Sequence, residues 1–368
     1  MYYKTFYKPE YNTNMQYTID MLYNGVTPNN VVITGPPEKM TIRKDTAFTT
    51  INTALVNMLE TNLHLMNNIP FEYEEYNIPK SSGGYRRICA PNAQLKELQR
   101  NVADNLTRLG AIAHNAAYAY VPSRTCKDAL IKHQSAENKW FYKFDIKDFF
   151  PSCNTEVLPI LKYVYPFCAL SEDTLSKIIE LATYKGALPQ GSPLSPLLSN
   201  MILTVFDFKM QFSVKAFNGV YTRYADDILI STPTHHELSF IQHIIKKHLE
   251  SLSSNFKINT DKSRCGSIKG SNWNLGLILN AENKITLGHD KKMKLKAKIN
   301  NFIFDFTNQK YWSIIDTQVL QGEVNYFKTI EPEYAAFVIY RLEQKYKQQT
   351  RHTLAEMFSA IISGKVCN

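Results

Sequence analysis

The chain of 368 residues has no run of the roughly 18 uninterrupted apolar residues that a membrane-spanning helix needs, and its start, MYYKTFYKPEYN, lacks the apolar core of a signal peptide. The expectation is a cytoplasmic protein without a membrane partner. Its six cysteines (Cys89, Cys126, Cys153, Cys168, Cys265, Cys367) include no CxxC pair, which argues against a zinc ribbon or disulfide framework and for core thiols in a reducing compartment. Internal repeats and low-complexity linkers are also missing. Acidic residues are in short supply, 33 Asp and Glu against 42 Lys and Arg, so the net charge is +9. With 12% aromatic residues, such a surface suits nucleic acid, by phosphate neutralisation and base stacking. An anionic membrane surface is the competing partner, but nothing resembles a lipid anchor.

What is present reads as a soluble globular chain, 44% apolar and 20% charged, long enough for two or three subdomains. DTAFTTINTALVNMLETNLHLM reads as a capped amphipathic helix and NIPKSSGGYRRICAPN as a hairpin. AQLKELQRNVADNLTRL has helical spacing. KWFYKFDIKDFFP reads as a buried strand that carries Asp145 and ends before Pro151. TEVLPILKYVYPF and SEDTLSKIIELATY read as helices, and KGALPQGSPLSPLLSNMILTVFDFKM as a Gly/Pro-rich loop entering one long apolar helix. GVYTRYA and ILIST are two short strands meeting at Asp226-Asp227. THHELSFIQHIIKKHLESL reads as an amphipathic helix, NLGLILNAENKITLG as a hairpin, and the basic stretch from Asp290 onward as helical. The order suggests an α+β fold with a split β-α-β sheet and a helical appendage.

Two adjacent aspartates inside a β-branched strand pair are costly unless a cation or a solvated turn compensates. If the strands pair, Asp145 converges on Asp226 and Asp227. Oxygen-only donors without His or Cys suit Mg²⁺ or Mn²⁺, and two such ions can clamp the attacking and leaving oxygens of a phosphoryl transfer. The plain alternative is a solvated acidic turn. Asp148 reads as a turn or helix-start acid.

The surrounding motifs tip the balance. GGYRRICAP with LKELQR, FDIKDFFPS, LPQGSPLSPLLSN, YADD, NTDKS and NLGLILN occur in the order of the fingers motifs and motifs A to E of reverse transcriptases. The chain resembles the bacterial lineage of retrons, group II introns and defence-associated enzymes over roughly residues 78 to 287. The resemblance implies a right-hand polymerase fold. It assigns 1–60 to an N-terminal extension, 61–143 to fingers with part of the palm, 144–288 to the palm (155–190 contributing to the fingers) and 289–368 to a helical thumb.

Carried over to matching positions, Asp145 and Asp226 would hold two Mg²⁺ ions, Mn²⁺ being the alternative, with Asp227 in support and the Ile146 carbonyl completing one shell. Lys80 and Arg86, or Arg87 in place of Arg86, would reach the triphosphate. Gln190 and Gly191 would line the nucleotide pocket, the missing side chain letting backbone approach the base pair. Lys262 would approach the pyrophosphate as a general acid. Phe150 would pack beneath the sugar and exclude a 2′-hydroxyl, its plain alternative being a core phenylalanine. Leu275 and Gly276 would form the primer grip. Lys291, Lys292, Lys294, Lys296 and Lys298 would grip duplex phosphates, or else form a solvated helix face.

The chain ends after the thumb, where group II intron proteins usually continue. Retron enzymes typically carry NAxxH before motif A and VTG near motif E. Here the first is altered to Asp128-Ala129 with His133 one spacer further on, and the second is Asn274-Leu275-Gly276. The expectation is therefore a stand-alone, defence-associated enzyme. It would make cDNA from dNTPs on a structured non-coding RNA that serves as template and, in some schemes, as primer. A retron-type enzyme making RNA-linked DNA, a protein-primed template-independent polymerase and a non-catalytic RNA-binding module stay open, as does a homo-oligomeric state.

Overall fold

The computed structural model describes residues 52–80, 83–135, 137–268, 272–274 and 276–366, with three short N-terminal strands, for which (as for 272–274) only the backbone is described. Leu275, Cys367 and most of the Asn- and Tyr-rich start lie outside the described residues. The chain divides into two compact units, 1–133 with 137–265, and 134–136 with 266–368.

In the first unit, β1 (Gln16–Thr18), β2 (Val31–Thr34) and β3 (Thr41–Lys44) form an antiparallel sheet. Helix α1 (Thr53–His64) starts at Asn52, whose side chain accepts from the N–H groups of Ala54 and Leu55. The hairpin of β4 (Tyr73–Pro79) and β5 (Tyr85–Pro91) follows. Helix α2 (Ala93–Arg108), capped by Asn92, buries Leu95, Leu98, Val102 and Leu106 along one stripe. Next come α3 (Cys126–Ile131), β6 (Trp140–Lys147), α4 (Phe149–Ser152) and α5 (Glu172–Ala182). Asp148 stands at the start of α4, a turn acid as its spacing implies.

Two elements differ from the sequence reading. The stretch expected as a helix at 155–167 forms 3-10 turns at Leu158–Tyr163 and Phe167–Ala169, because Pro159 and Pro166 lack the N–H that a continuous helix needs. The long apolar helix is two, α6 (Ser195–Ile202) and α7 (Thr204–Lys215). At the break the Thr204 hydroxyl donates to the carbonyl of Asn200, a back-bond that bends helices.

The central sheet is built from β6, β7 (Val220–Tyr224), β8 (Asp227–Thr232), β9 (Lys257–Ile258) and β10 (Arg264–Ser267), in the order β10-β6-β8-β7 with β9 also on β6, and β6, β7, β8 and β9 pair antiparallel. Helix α8 (Leu238–Glu250) buries Ile241, Ile245 and Leu249 at four-residue spacing, each worth about 1.5–3 kcal/mol. One core joins this helix to Phe144, Ile228 and Ile230 of the sheet and to Leu198 and Phe206.

In the second unit β11 (Asn272–Asn274), β12 (Leu277–Leu279) and β13 (Ile285–Thr286) pair antiparallel. Four helices follow: α9 (His289–Thr307), α10 (Ile314–Ile330), α11 (Pro332–Lys345) and α12 (Leu354–Ile362). Their core holds Ile299, Phe302, Leu320, Phe327, Met357 and Phe358. No described helix is long and apolar enough to cross a membrane.

Candidate active site

Strands β6 and β8 pair so that Asp145 stands opposite Asp227. The β7–β8 hairpin turns through Ala225 and Asp226, with Ala225 at φ +57°. The Ile146 N–H donates to the Asp226 carbonyl at 2.9 Å. Register and turn therefore bring all three acids to one end of the sheet. Asp145 is buried at 7% exposure. Burial, and then the neighbouring Asp227 and Asp145 carboxylates, push the Asp226 carboxyl up to about 6, against the pull of Lys262.

Two lysines sit on the other two acids. Lys262 Nζ lies 2.8 Å from Asp145 Oδ1, and Lys143 Nζ 2.9 Å from Asp227 Oδ1. Asn259 also donates to Asp145 Oδ2, at 3.4 Å. With carboxylates turned to ammonium groups, no cluster of three His, Cys, Asp or Glu ligands is assembled among the described residues. The donors are nonetheless all oxygen and electrostatically frustrated at Asp226, which fits a hard divalent cation that competes with Lys143 and Lys262.

Phe150 is buried against Phe149, ring centroids 5.3 Å apart, and faces the half-exposed Tyr120 at 6.2 Å. Tyr120 escaped sequence reasoning, since it lies in no motif. Its backbone is left-handed at φ +61°. Burial, then the charge of Asp226, raise its phenol pKa, while Arg86 opposes. Tyr120 thus feels the charges of both Asp226 and Arg86. The adjacent Arg86 and Arg87 diverge. Register puts Arg86 opposite Ile78 and Arg87 opposite Asn77, hence on opposite faces. Arg87 pairs with Glu75, which also binds Lys185 at 2.7 Å. Lys80 is exposed at the hairpin turn, where its N–H donates to the Gly84 carbonyl.

Gly191 has φ +130°, and a Cβ there would lie 2.8 Å from the Cys89 carbonyl oxygen. Next to it, the Gln190 carbonyl accepts from the Cys89 N–H at 2.8 Å. The bare face of this glycine is thus spent on docking the loop to β5. Gly191→Ala is expected to destabilise the protein by about 1–3 kcal/mol, read from denaturant melts. Unaltered stability would show that the loop can leave β5 at no cost.

Residues 78–296 match the family described as reverse transcriptase (RNA-dependent DNA polymerase). The chain belongs to that family. It is 29% identical to the retron Ec73 reverse transcriptase and 30% identical to the retron Ec83 reverse transcriptase, both of Escherichia coli, each over 76% of this chain and 88% of the relative. Among solved structures it resembles telomerase from Candida albicans in complex with a TWJ fragment of telomeric RNA, with 13% identity and a TM-score of 0.45, covering 88% of this chain and 60% of that one. The protein is a retron-like bacterial reverse transcriptase with the α+β right-hand polymerase fold, and an RNA-directed DNA polymerase. Its retron relatives match the retron-type reading despite the altered NAxxH and VTG segments.

The altered NAxxH segment of this reverse transcriptase has a local explanation. Asp128 closes a capping box with Thr125 at the start of α3. His133 is fully buried, its ring nitrogens 2.7 Å from Ser231 Oγ and 2.8 Å from Thr222 Oγ1, so it braces the hairpin that carries Asp226. Burial depresses its pKa to about 3, and those of His114 and His248 to about 4. Folded values below the unfolded one mean a contribution present above about pH 6.5 and lost as pH falls toward 3. Stability should decline over that window, and His133→Gln should flatten the decline. An unchanged slope would exclude His133 from it.

In the second unit of the reverse transcriptase, Gly276 is left-handed at φ +79°, and its carbonyl accepts from Lys291 Nζ at 2.8 Å. Leu275 lies outside the described residues. The basic segment does not form one free face. Lys292 pairs with Glu331 at 3.1 Å and lies over the Tyr334 ring, and Lys298 pairs with Glu323 at 2.8 Å, whereas Lys294 and Lys296 are exposed.

Proposed function

We propose that this reverse transcriptase makes cDNA on a structured non-coding RNA encoded beside its gene, in the cytoplasm, as part of bacterial antiviral defence. The observation that carries the chemistry is the register of Asp145 opposite Asp227, with Asp226 bonded through its carbonyl to Ile146. In the reaction the primer 3′-hydroxyl gives its proton to solvent and its oxygen bonds to the α-phosphorus of a dNTP, while the bond from that phosphorus to the α–β bridging oxygen breaks and pyrophosphate leaves with the electron pair. Asp145, Asp226 and the Ile146 carbonyl, supported by Asp227, would hold two Mg²⁺ ions, and bound there the ions would supply positive charge to the phosphoryl oxygens.

The chain's own groups do the rest. Arg86 and Lys80 hold the triphosphate, Arg86 rather than Arg87 because Glu75 already pairs with Arg87 while the charge of Arg86 is felt at Tyr120. Phe150 packs under the sugar, and the loop of Gln190 and Gly191, docked on β5 through Cys89, lines the nucleotide pocket. Lys262, whose pKa is raised by its hydrogen bond to Asp145, stays protonated at neutral pH and can give its proton to the departing pyrophosphate. Fingers, palm and thumb are assigned to 61–143, 144–288 and 289–368, with Gly276 and Leu275 as primer grip. Within the thumb, Lys294 and Lys296 are the exposed phosphate contacts. Lys291 and Lys292 act by holding the Gly276 strand end and the Glu331 corner.

The retron relatives favour a second reading, in which the DNA product stays joined to RNA. Digesting purified product with RNase distinguishes the two, since RNA-linked DNA shifts in size and free cDNA does not. Binding is tested by competition between the locus RNA and an unrelated hairpin of equal length at near-physiological salt. Lys294→Ala with Lys296→Ala should weaken both RNAs and reduce the salt slope by about two, leaving dNTP selection intact. Equal competition by the two RNAs would remove the dedicated-RNA proposal.

A further inference from the structure

Arg223 lies on β7 three residues before Asp226 and is fully buried. Its Nε and Nη2 donate to Oδ1 and Oδ2 of Asp207 on α7, at 2.7 and 2.6 Å. Asp207 also accepts from the Tyr221 hydroxyl at 2.6 Å. The remaining donors leave the pair: Nη2 reaches Asn200 Oδ1 on α6 at 3.2 Å, and Nη1 reaches the carbonyl of Ala225 at 3.1 Å. Asn200 in turn donates to the Ala119 carbonyl at 2.9 Å. The Arg223 backbone joins the same strip of chain, its N–H donating to Ala116 O and its carbonyl accepting from Tyr118 N–H. Arg223 therefore links α6, α7 and the residue immediately before Asp226 through its guanidinium, and the segment leading to Tyr120 through its backbone.

Two considerations say that this link serves the turn. Ala225 is held in a left-handed conformation that a residue with a Cβ keeps only when its surroundings impose it. A buried ion pair is also a poor source of stability, since apolar residues of similar volume often do as well. We propose that Arg223, braced by Asp207, is a positioning residue that clamps the Ala225 carbonyl and so aims Asp226 at the cation site. This rests on the reading of Asp226 as a cation ligand.

The test replaces the network by apolar groups, Arg223→Met with Asp207→Leu and Tyr221→Phe, in the full chain. The variant should melt cooperatively and bind template–primer like the parent. Its Mg²⁺ affinity, measured calorimetrically without nucleotide, should fall about 10- to 100-fold, and its kcat about 100-fold. Its KM for dNTP should stay within about threefold. A folded variant with parental Mg²⁺ affinity and kcat overturns the proposal. If the triple variant does not fold, Arg223→Lys decides. It keeps the charge opposite Asp207 but cannot span Asp207, Asn200 and Ala225 together, so the same losses are expected and parental values overturn the assignment. Asp226→Asn serves as the separate control. Activity surviving in it would remove the cation reading itself, whereas its inactivity beside an active triple variant would remove Arg223 alone.

Discussion

Asp226→Asn is expected to lower kcat for RNA-templated dNTP incorporation by about 10³-fold or more while making the protein more stable. Both effects have one origin. Burial and the neighbouring Asp227 and Asp145 carboxylates raise the Asp226 carboxyl to about 6, so ionising it in the fold without a cation costs about 3 kcal/mol. The sign follows from the raised folded pKa. The favourable contribution of the protonated form is full below the unfolded pKa of about 3.9 and is lost as pH rises through about 6. At pH 8 without divalent ions, the Asn variant should therefore melt at higher temperature than the parent, and at pH 4 the difference should shrink. Mg²⁺ should stabilise the parent and leave the variant nearly unchanged. A variant that is inactive yet no more stable at pH 8 would mean that neither burial nor the neighbouring acids disfavour the Asp226 charge in the fold.

Phe150→Val is expected to raise ribonucleotide use relative to dNTPs by about 10- to 100-fold in the ratio of kcat/KM values. The ring is buried between Phe149 and Tyr120, so the backbone that carries it is well supported and a smaller side chain opens space at the sugar. The core pays as well, since removal of a buried aromatic destabilises by roughly 3–5 kcal/mol when taken to Ala. Selectivity separates the two roles. A stability loss with an unmoved nucleotide ratio would make Phe150 core packing only. Tyr120, across from it, offers a cross-check. Tyr120→Phe should keep the ring contact and the selectivity, while Tyr120→Ala should lose both.

The parts of the fold legible in the sequence were those with short-range signals. Apolar spacing announced α2, α5 and α8, and a Ser/Gly-rich turn between extended segments announced the β4–β5 hairpin. The convergence of Asp145 with Asp226 and Asp227 followed once β6 and β8 were paired, because cross-strand register leaves little freedom. What stayed hidden depends on partners distant in sequence. His133 is an ordinary histidine until Ser231 and Thr222 close on it. Gly191 reads as an open loop position until Cys89 occupies the space of its absent side chain. Arg86 and Arg87 are equivalent in a string and opposite on a strand, and the lysines of α9 look alike until Glu331 and Glu323 claim two of them. Arg223 carried a signal in hindsight, since a long cation in an apolar strand next to paired acids needs a buried partner, and Asp207 lies in an equally apolar helix.

The most direct test of a dedicated RNA copied into DNA at these three acids is to sequence the nucleic acid that co-purifies from the native host with the parent protein and with Asp226→Asn. The parent should carry one structured RNA from its own locus together with DNA complementary to it, and the variant should carry the same RNA without the DNA. DNA of equal amount and sequence on both proteins, or DNA unrelated to the bound RNA, would contradict the account.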